Sequence, residues 1–358
     1  MPERFGKGRN YFLQLRQLVA FEMGSGNPMV RKNCNIKDVA AYAGVATSTV
    51  SRVLNNRDAN QHTSAETRRK ILAAAKALNY APNINAKRLF GKRSQVIGLV
   101  VPSHEKHRKH VFADHHLAEI FSGIETALSG TGYRLLMIFN DDSFVRNREY
   151  LALFRQRAID GMLVWGAYAD QLFWEEIVDH HYPLVFLSQP NMELQKFNYL
   201  IHDYQSAGEL ALRQLVESGH RRIGWLGGSR DNGILQDMEK GFARVPGAYE
   251  LHALYGDFSR ESGVTMTRRM LETHPGLTAL AAANLDIASG AAEACKECGA
   301  EVEIIACDSA TEAEGDGFSR IAVDDQLLGC EAVKSLLTLI EANEPAVIRK
   351  HLQVKLYK

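Results

Sequence analysis

The chain has 358 residues, 46% of them apolar and 23% charged, which suits two or three globular domains and excludes disordered or collagen-like classes. No apolar run approaches the roughly 20 residues that cross a bilayer. The apolar stretch after Arg9 is interrupted by Arg16 and Glu22 and has no small-residue cleavage site, so no secretory leader is expected. Net charge is zero but segregated: Met29–Ser94 holds thirteen Lys/Arg against three Asp/Glu, and the rest from Gln95 onward is acidic in compensation. A basic head on an acidic body is the footprint of a polyanion-binding module joined to a domain with a different task. The five cysteines, Cys34, Cys295, Cys298, Cys307 and Cys330, are odd in number and irregularly spaced, which fits a reduced, cytoplasmic compartment.

Residues 1–32 carry no periodic pattern and are read as a disordered extension. The head spans 33–81. Ile36, Val39, Ala40 and Ala43 recur at helical spacing, and Gly44 breaks that helix because glycine enters left-handed backbone without steric cost. A second short helix has Val50, Val53 and Leu54 on one side and Ser48, Ser51, Arg52 and Asn55 on the other. Such a pair fits either a solvated helical hairpin or a helix-turn-helix whose second helix enters a major groove. A third helix is expected to start with a capping box made by Thr63 and Glu66, to carry an apolar stripe of Ile71, Leu72, Ala75 and Leu78, and to end before Pro82. Residues 82–94, PNINAKRLFGKRS, form a basic hinge or linker.

From 95 to 358 the pattern changes. Short β runs alternate with helical segments: VIGLVVP, YRLLMIFN, DGMLVWG, PLVFLSQ, RRIGWLGG, LTALAAAN and VEIIACD are the expected strands. The alternation predicts an α/β body with parallel sheets, and about 250 residues of it suits two similar lobes with a ligand in the crevice at the strands' carboxyl ends. The fold class is therefore multidomain: a small all-α head on a two-lobed α/β body. No Walker A sequence, nucleophile elbow or HExxH motif occurs, so no catalytic residue is assigned. Cys295 and Cys298 form a lone CxxC in a helical context, short of the four ligands of a structural zinc site. The insert HEKHRKHVFADHH brings His104, His107, His110, His115 and His116 after the first strand, but without fixed ligand spacing. It reads as solvated, and no metal or cofactor is expected.

The run IKDVAAYAGVATSTVSRVLN, continued by TRRKILAAAKALNYAPNINAKRLFGKRSQVIGLVVPS, resembles the lactose/galactose repressor family of bacterial transcription regulators, and SAGELALRQLVESGHRRIGWLGG resembles its regulatory core. The resemblance implies a helix-turn-helix head and a type I periplasmic-binding-protein-like body whose lobes are discontinuous in sequence. It implies that Thr47 and Ser48 open the recognition helix as its base-reading pair and that Arg52 donates to guanine O6 and N7. Thr49, Ser51 and Asn55 would touch phosphate or cap the fold. In the hinge, Asn83, Ala86, Lys87 and Leu89 become DNA contacts, with the leucine wedged into the minor groove, and Arg88, Lys92 and Arg93 add phosphate neutralisation. Ala46 stands where the family carries a capping serine.

The expected ligand pocket departs furthest from the family. Met238 replaces an arginine three places before the Gly241–Phe242 pair, and Asn284–Leu285–Asp286 displaces an acid by one place. Ser103, His116, Phe186, Asn284, Asp286 and Asp308 are the candidate effector contacts. The reading that follows is a DNA-binding regulator, a repressor, acting as a homodimer, with a tetramer as the alternative, on double-stranded DNA carrying a pseudo-palindromic operator. Its small-molecule effector would be of the carbohydrate class, with no membrane partner and a cytoplasmic, nucleoid-associated location. The competing readings are a cytoplasmic ligand-binding protein with a vestigial head and an enzyme on the two-lobed scaffold.

Overall fold

A computed structural model of the chain describes residues 34–54, 63–81, 93–103, 111–166, 173–187, 196–309, 319–342 and 346–357. The chain divides into two compact units, Met1–Lys92 and Arg93–Lys358.

The first unit holds α1 (Ile36–Ala43), α2 (Thr47–Leu54) and α3 (Ala65–Ala77). Asn35 caps α1 reciprocally: its Oδ1 accepts the Lys37 and Asp38 amides, and its own amide donates to Asp38 Oδ2 at 2.8 Å. Gly44 ends the helix at φ +67, the left-handed conformation that the sequence demanded. The core is Val39, Ala40, Val50, Val53, Ile71, Ala74 and Ala75. Two details of α3 differ from expectation. Its cap is Ser64, whose Oγ accepts the Thr67 amide at 3.2 Å, so the helix starts one residue after the Thr63–Glu66 box would place it. Leu72 is 51% exposed; Ala74 takes the core place given to it, because the buried stripe runs along 71, 74, 75 and 78.

The second unit begins with β1 (Val96–Pro102), α4 (His115–Leu128), β2 (Arg134–Asn140), α5 (Asp142–Arg146), α6 (Glu149–Arg155), β3 (Gly161–Trp165), α7 (Phe173–Asp179), β4 (Leu184–Leu187) and β5 (Tyr199–His202). It continues with α8 (Tyr204–Glu217), β6 (Arg222–Gly227), α9 (Gly233–Phe242), β7 (Glu250–Tyr255), α10 (Arg260–Thr273), β8 (Ala279–Ala282), α11 (Leu285–Cys298), β9 (Glu303–Ser309) and β10 (Ser319–Val323). It closes with α12 (Asp325–Glu341), β11 (Arg349–Leu352) and β12 (Lys355–Tyr357).

Two sheets result, in the orders β2-β1-β3-β4-β5-β11 and β7-β6-β8-β9-β10-β12. Every pairing is parallel except that of β10 with β12. Each sheet starts 2-1-3-4-5 in its own strand count, so each has its switch point beside its first strand, where open α/β sheets hold ligands. Both faces of the first sheet are covered, by α4 and α12 on one side and α5–α7 on the other, which is why β1 is buried at every residue and reads as an unbroken apolar run.

The chain passes between lobes three times. After β5, α8 packs into the second lobe; after β10, α12 returns to the first lobe against α4; between β11 and β12 the chain crosses again. Asp203 and Asp324 cap the helices that follow the first two crossings, accepting the amides of Ser206 and Leu327. Helices α4 and α12 approach until backbone meets backbone at Gly123 and Gly329: a Cβ on Gly329 would overlap the Ile120 carbonyl. Gly329→Val is expected to destabilise the body by about 3 kcal/mol, the upper end of ordinary overpacking, because the obstacle is backbone. A variant melting within a degree of the wild type would refute that close approach.

Candidate functional site

In the head, Thr47 and Ser48 are exposed at the start of α2, Thr49, Ser51 and Arg52 are half-buried, and Val50 and Val53 turn into the core. The helix therefore presents its polar side outward while its apolar side fixes it against α1 and α3. The Ala46 carbonyl accepts the Thr49 and Val50 amides at 3.0 and 3.2 Å, but alanine has no side-chain oxygen to bind a free amide of the first turn. Ala46→Ser is expected to stabilise the head by about 1 kcal/mol, read as a rise in its denaturation midpoint; no rise would mean that water already serves those amides. Asn55 and the hinge positions Asn83, Ala86, Lys87 and Leu89 lie outside the described residues. Arg93, expected on phosphate, donates from Nη2 to the Ile340 carbonyl at 2.9 Å, near Glu341, at the carboxyl end of α12.

In the body, the carboxyl ends of the two sheets converge on a network of histidines and carboxylates. Asp114 caps α4, which sets His115 and His116 on its first turn. His115 Nε2 lies 2.7 Å from Asp308 Oδ1, and His116 Nε2 lies 3.6 Å from the same oxygen. Asp308 sits near the end of β9 in the second lobe, 4% exposed, and its Oδ2 accepts the Leu285 amide at 2.7 Å. On the other side, His116 Nδ1 lies 2.7 Å from Asp325 Oδ2, and His202 Nε2 lies 3.0 Å from Asp325 Oδ1. His202 ends β5 at the first crossing and Asp325 opens α12 at the second, both almost without solvent contact. The network thus ties the first lobe to the second and two crossing points to each other.

Burial alone would pull His116 down, but its hydrogen bond to Asp325 and the charges of Asp325, Asp308 and Asp114 push it up to about 9. Burial would raise both carboxylates. The bonds from His116 and His202 hold Asp325 well below the usual range instead, and His115, His116 and the Leu285 amide do the same for Asp308.

The six candidate effector contacts are distributed unevenly. His116 and Asp308 meet in this network. Ser103, at the carboxyl end of β1, is 4% exposed with no hydrogen-bond partner for Oγ among the described residues. Asn284 caps α11: its Oδ1 accepts the Ile287 amide and its Nδ2 donates to the Phe258 carbonyl, so its polar groups are committed to the fold. Asp286 is exposed on the first turn of α11. Phe186 is wholly buried between Trp174 and Phe197, with no surface for a ligand. Met238 packs in the second lobe's core at 2% exposure, and the Leu285 side chain is likewise buried.

Sequence reasoning missed His202 and Asp325, and it reached His115 only as part of an insert read as solvated. The signal was faint: paired acids in VDDQLL and the HD of YLIHDY, where one acid caps a helix and its neighbour turns inward. The end of the histidine-rich insert is also not the solvated loop expected, since His115 and His116 belong to α4 and carry ion pairs; His104, His107 and His110 lie outside the described residues. The CxxC lies within α11, with Cys295 buried and Cys298 exposed.

A head with three helices among its described residues, one of them turning its polar side outward, and a body of two similarly ordered parallel sheets fit a regulator of the helix-turn-helix class. Residues 35–83 match the profile of bacterial regulatory proteins of the lacI family, and 94–353 match that of periplasmic binding proteins and the sugar binding domain of that family. The chain belongs to the lacI family and is a DNA-binding transcription regulator, not an enzyme. It is 31% identical over 276 residues to the HTH-type transcriptional repressor PurR of Photorhabdus laumondii, covering 75% of this chain and 77% of that one. It is 29% identical over 349 residues to the HTH-type transcriptional regulator CelR of Thermobifida fusca, covering 91% and 98%. Among solved structures, the lac repressor dimer bound to operator and the anti-inducer ONPF matches with TM-score 0.75 at 29% identity, covering 91% of this chain and 98% of that one. A CelR–cellobiose complex matches with TM-score 0.62 at 26% identity over the same shares. Among the described residues, no helix is long and apolar enough to cross a membrane.

Proposed function

We propose that the protein is a repressor that binds a pseudo-palindromic operator as a homodimer and is controlled by a small-molecule effector of the carbohydrate class held where its two lobes meet. The observation that carries this is the network of His115, His116, Asp308, Asp325 and His202, which joins both lobes at the carboxyl ends of their sheets. A ligand entering there changes the contacts between the lobes, and so biases one lobe arrangement over another. Asp308 accepts hydrogen bonds and repels anions, which suits the hydroxyl groups of a neutral sugar better than a phosphorylated one. Ser103 supplies a further hydroxyl, and His116 completes the effector set.

In the head, Thr47, Ser48 and Arg52 read bases and Thr49, Ser51 and Asn55 position the backbone. Asn83, Ala86, Lys87 and Leu89 engage the minor groove from a hinge at 82–94 that links the 33–81 head to the 95–358 body. The lac repressor dimer on its operator and the CelR–cellobiose complex support operator binding, dimerisation and a sugar effector. Exposed Phe121, Leu136 and Phe139 in the first lobe support self-association. The protein acts in the cytoplasm, at the nucleoid.

The test is gel-shift titration against fragments flanking the gene, with rising salt and then with a panel of neutral and phosphorylated sugars. Tight binding that falls steeply with salt and is shifted by a neutral sugar is expected. Sugar binding without DNA binding would favour a ligand-binding protein with a vestigial head.

A further inference from the structure

We propose that His115, His116 and Asp308 form a binding site for a divalent transition-metal ion of the zinc class, which bridges the two lobes. One ligating atom from each residue can be chosen so that all lie within 4.8 Å of one another. Two imidazole nitrogens and one carboxylate oxygen suit zinc and its first-row neighbours rather than calcium or magnesium, which favour all-oxygen shells.

The surroundings orient these atoms as a metal site requires. Asp308 commits Oδ2 to the Leu285 amide, leaving Oδ1 toward both imidazoles. His116 commits Nδ1 to Asp325, leaving Nε2 toward Asp308, and Asp325 is anchored in turn by the fully buried His202. A carboxylate behind a ligating imidazole fixes its ring and raises its donor strength.

Ligand atoms about 2.1 Å from a tetrahedral ion stand about 3.4 Å apart. The 3.6 Å separation of His116 from Asp308 already meets that, while the 2.7 Å separation of His115 must open by under 1 Å. His115, whose side chain is 39% exposed, is the ligand that moves. A plain ion pair needs one imidazole on Asp308, yet two converge there with ring centroids 4.0 Å apart. With three ligands among the described residues, a fourth position is left for water or for an oxygen of the effector.

The test uses the metal-free full-length protein, titrated with Zn2+ against a chromogenic chelator at pH 8, with zinc content measured after desalting. The expected result is one tight zinc per chain, with Asp325→Asn weakening it about 10–100-fold and His115→Ala or Asp308→Asn weakening it further. Replacing Cys295 and Cys298 by serine, or His104, His107 and His110 by glutamine, should leave the stoichiometry unchanged. Co2+ should give ligand-field bands without a thiolate charge-transfer band. Should Asp308→Asn fail to fold by circular dichroism, the half-exposed His115→Ala and the cobalt spectrum decide. Absence of tight zinc in the wild type, zinc that tracks the cysteines or the other three histidines, or unchanged binding in His115→Ala would each overturn the site. Operator binding is scored separately on the same samples, so loss of the metal site leaves the repressor reading intact.

Discussion

Replacing Asp325 by alanine is expected to lower the stability of the body by about 3–5 kcal/mol, the cost of removing one partner from a buried ionic pair. Asp325 is 3% exposed and holds His202, which has no solvent contact, and His116, which is half-buried. Without the carboxylate, His202 loses its Nε2 partner and His116 loses the bond that orients its ring, and both must be rehydrated or left unpaired. The loss falls where two of the three crossings meet, so it should also loosen the lobes against each other. In a domain of this size the change corresponds to a fall in melting temperature of about 10 °C. Asp325→Asn, which keeps the shape and one donor–acceptor pair, should lie between. Chemical denaturation with both variants checks this. A shift below 0.5 kcal/mol, the scale of an ordinary surface substitution, would show that the three side chains contribute nothing as a unit.

Arg52→Ala is expected to weaken operator binding by about 1–3 kcal/mol, roughly 5- to 150-fold, and to relax preference at one base pair of each half-site. The guanidinium is the only group on α2 able to offer two parallel donors to a guanine edge, whereas Thr47 and Ser48 each offer one hydroxyl. Val50 and Val53 fix the rotation of α2, so Arg52 emerges one turn beyond the exposed Ser48 along the same helix. Selection of bound sequences with wild type and variant reads the change directly. A shallower salt slope with an unaltered sequence profile would assign Arg52 to phosphate instead.

Much of the architecture was legible before any coordinates. Val39, Ala40, Val50 and Val53 announce their faces by 3.6-residue spacing, and Gly44 announces its backbone angle by being the one residue that takes it without cost. The central strands β1, β3, β4, β6, β8 and β9 were readable because a sheet covered on both faces needs unbroken apolar runs. The edge strand β2 was readable too, as YRLLMIFN, whereas β5, β7, β10 and the two C-terminal strands were not. β11 reads RKHL and β12 reads KLY, with side chains mostly in water, so their pairing with β5 and β10 leaves no apolar trace.

The candidate site divides along the same line. Asp308 is legible from its place at a strand end and His116 from the insert that follows the first strand, since chain polarity places both near a crevice. Phe186, another candidate, lies in the core instead, because a strand's pleat sends alternate residues away from the site. Met238 stands where the family places an arginine, but only packing shows that this position faces the core of the second lobe.

The sequence by itself determined the basic head, its helix-turn-helix register and the alternating α/β body, because each is set by neighbours within a few residues on the chain. Only the tertiary structure decided that His116 and Asp325, 209 positions apart, share one hydrogen bond, and that His202 joins them from 123 positions away. Spacing reports which way a residue faces, whereas an ion pair depends on what stands opposite it. Here the three crossings of the chain between its lobes set that opposition.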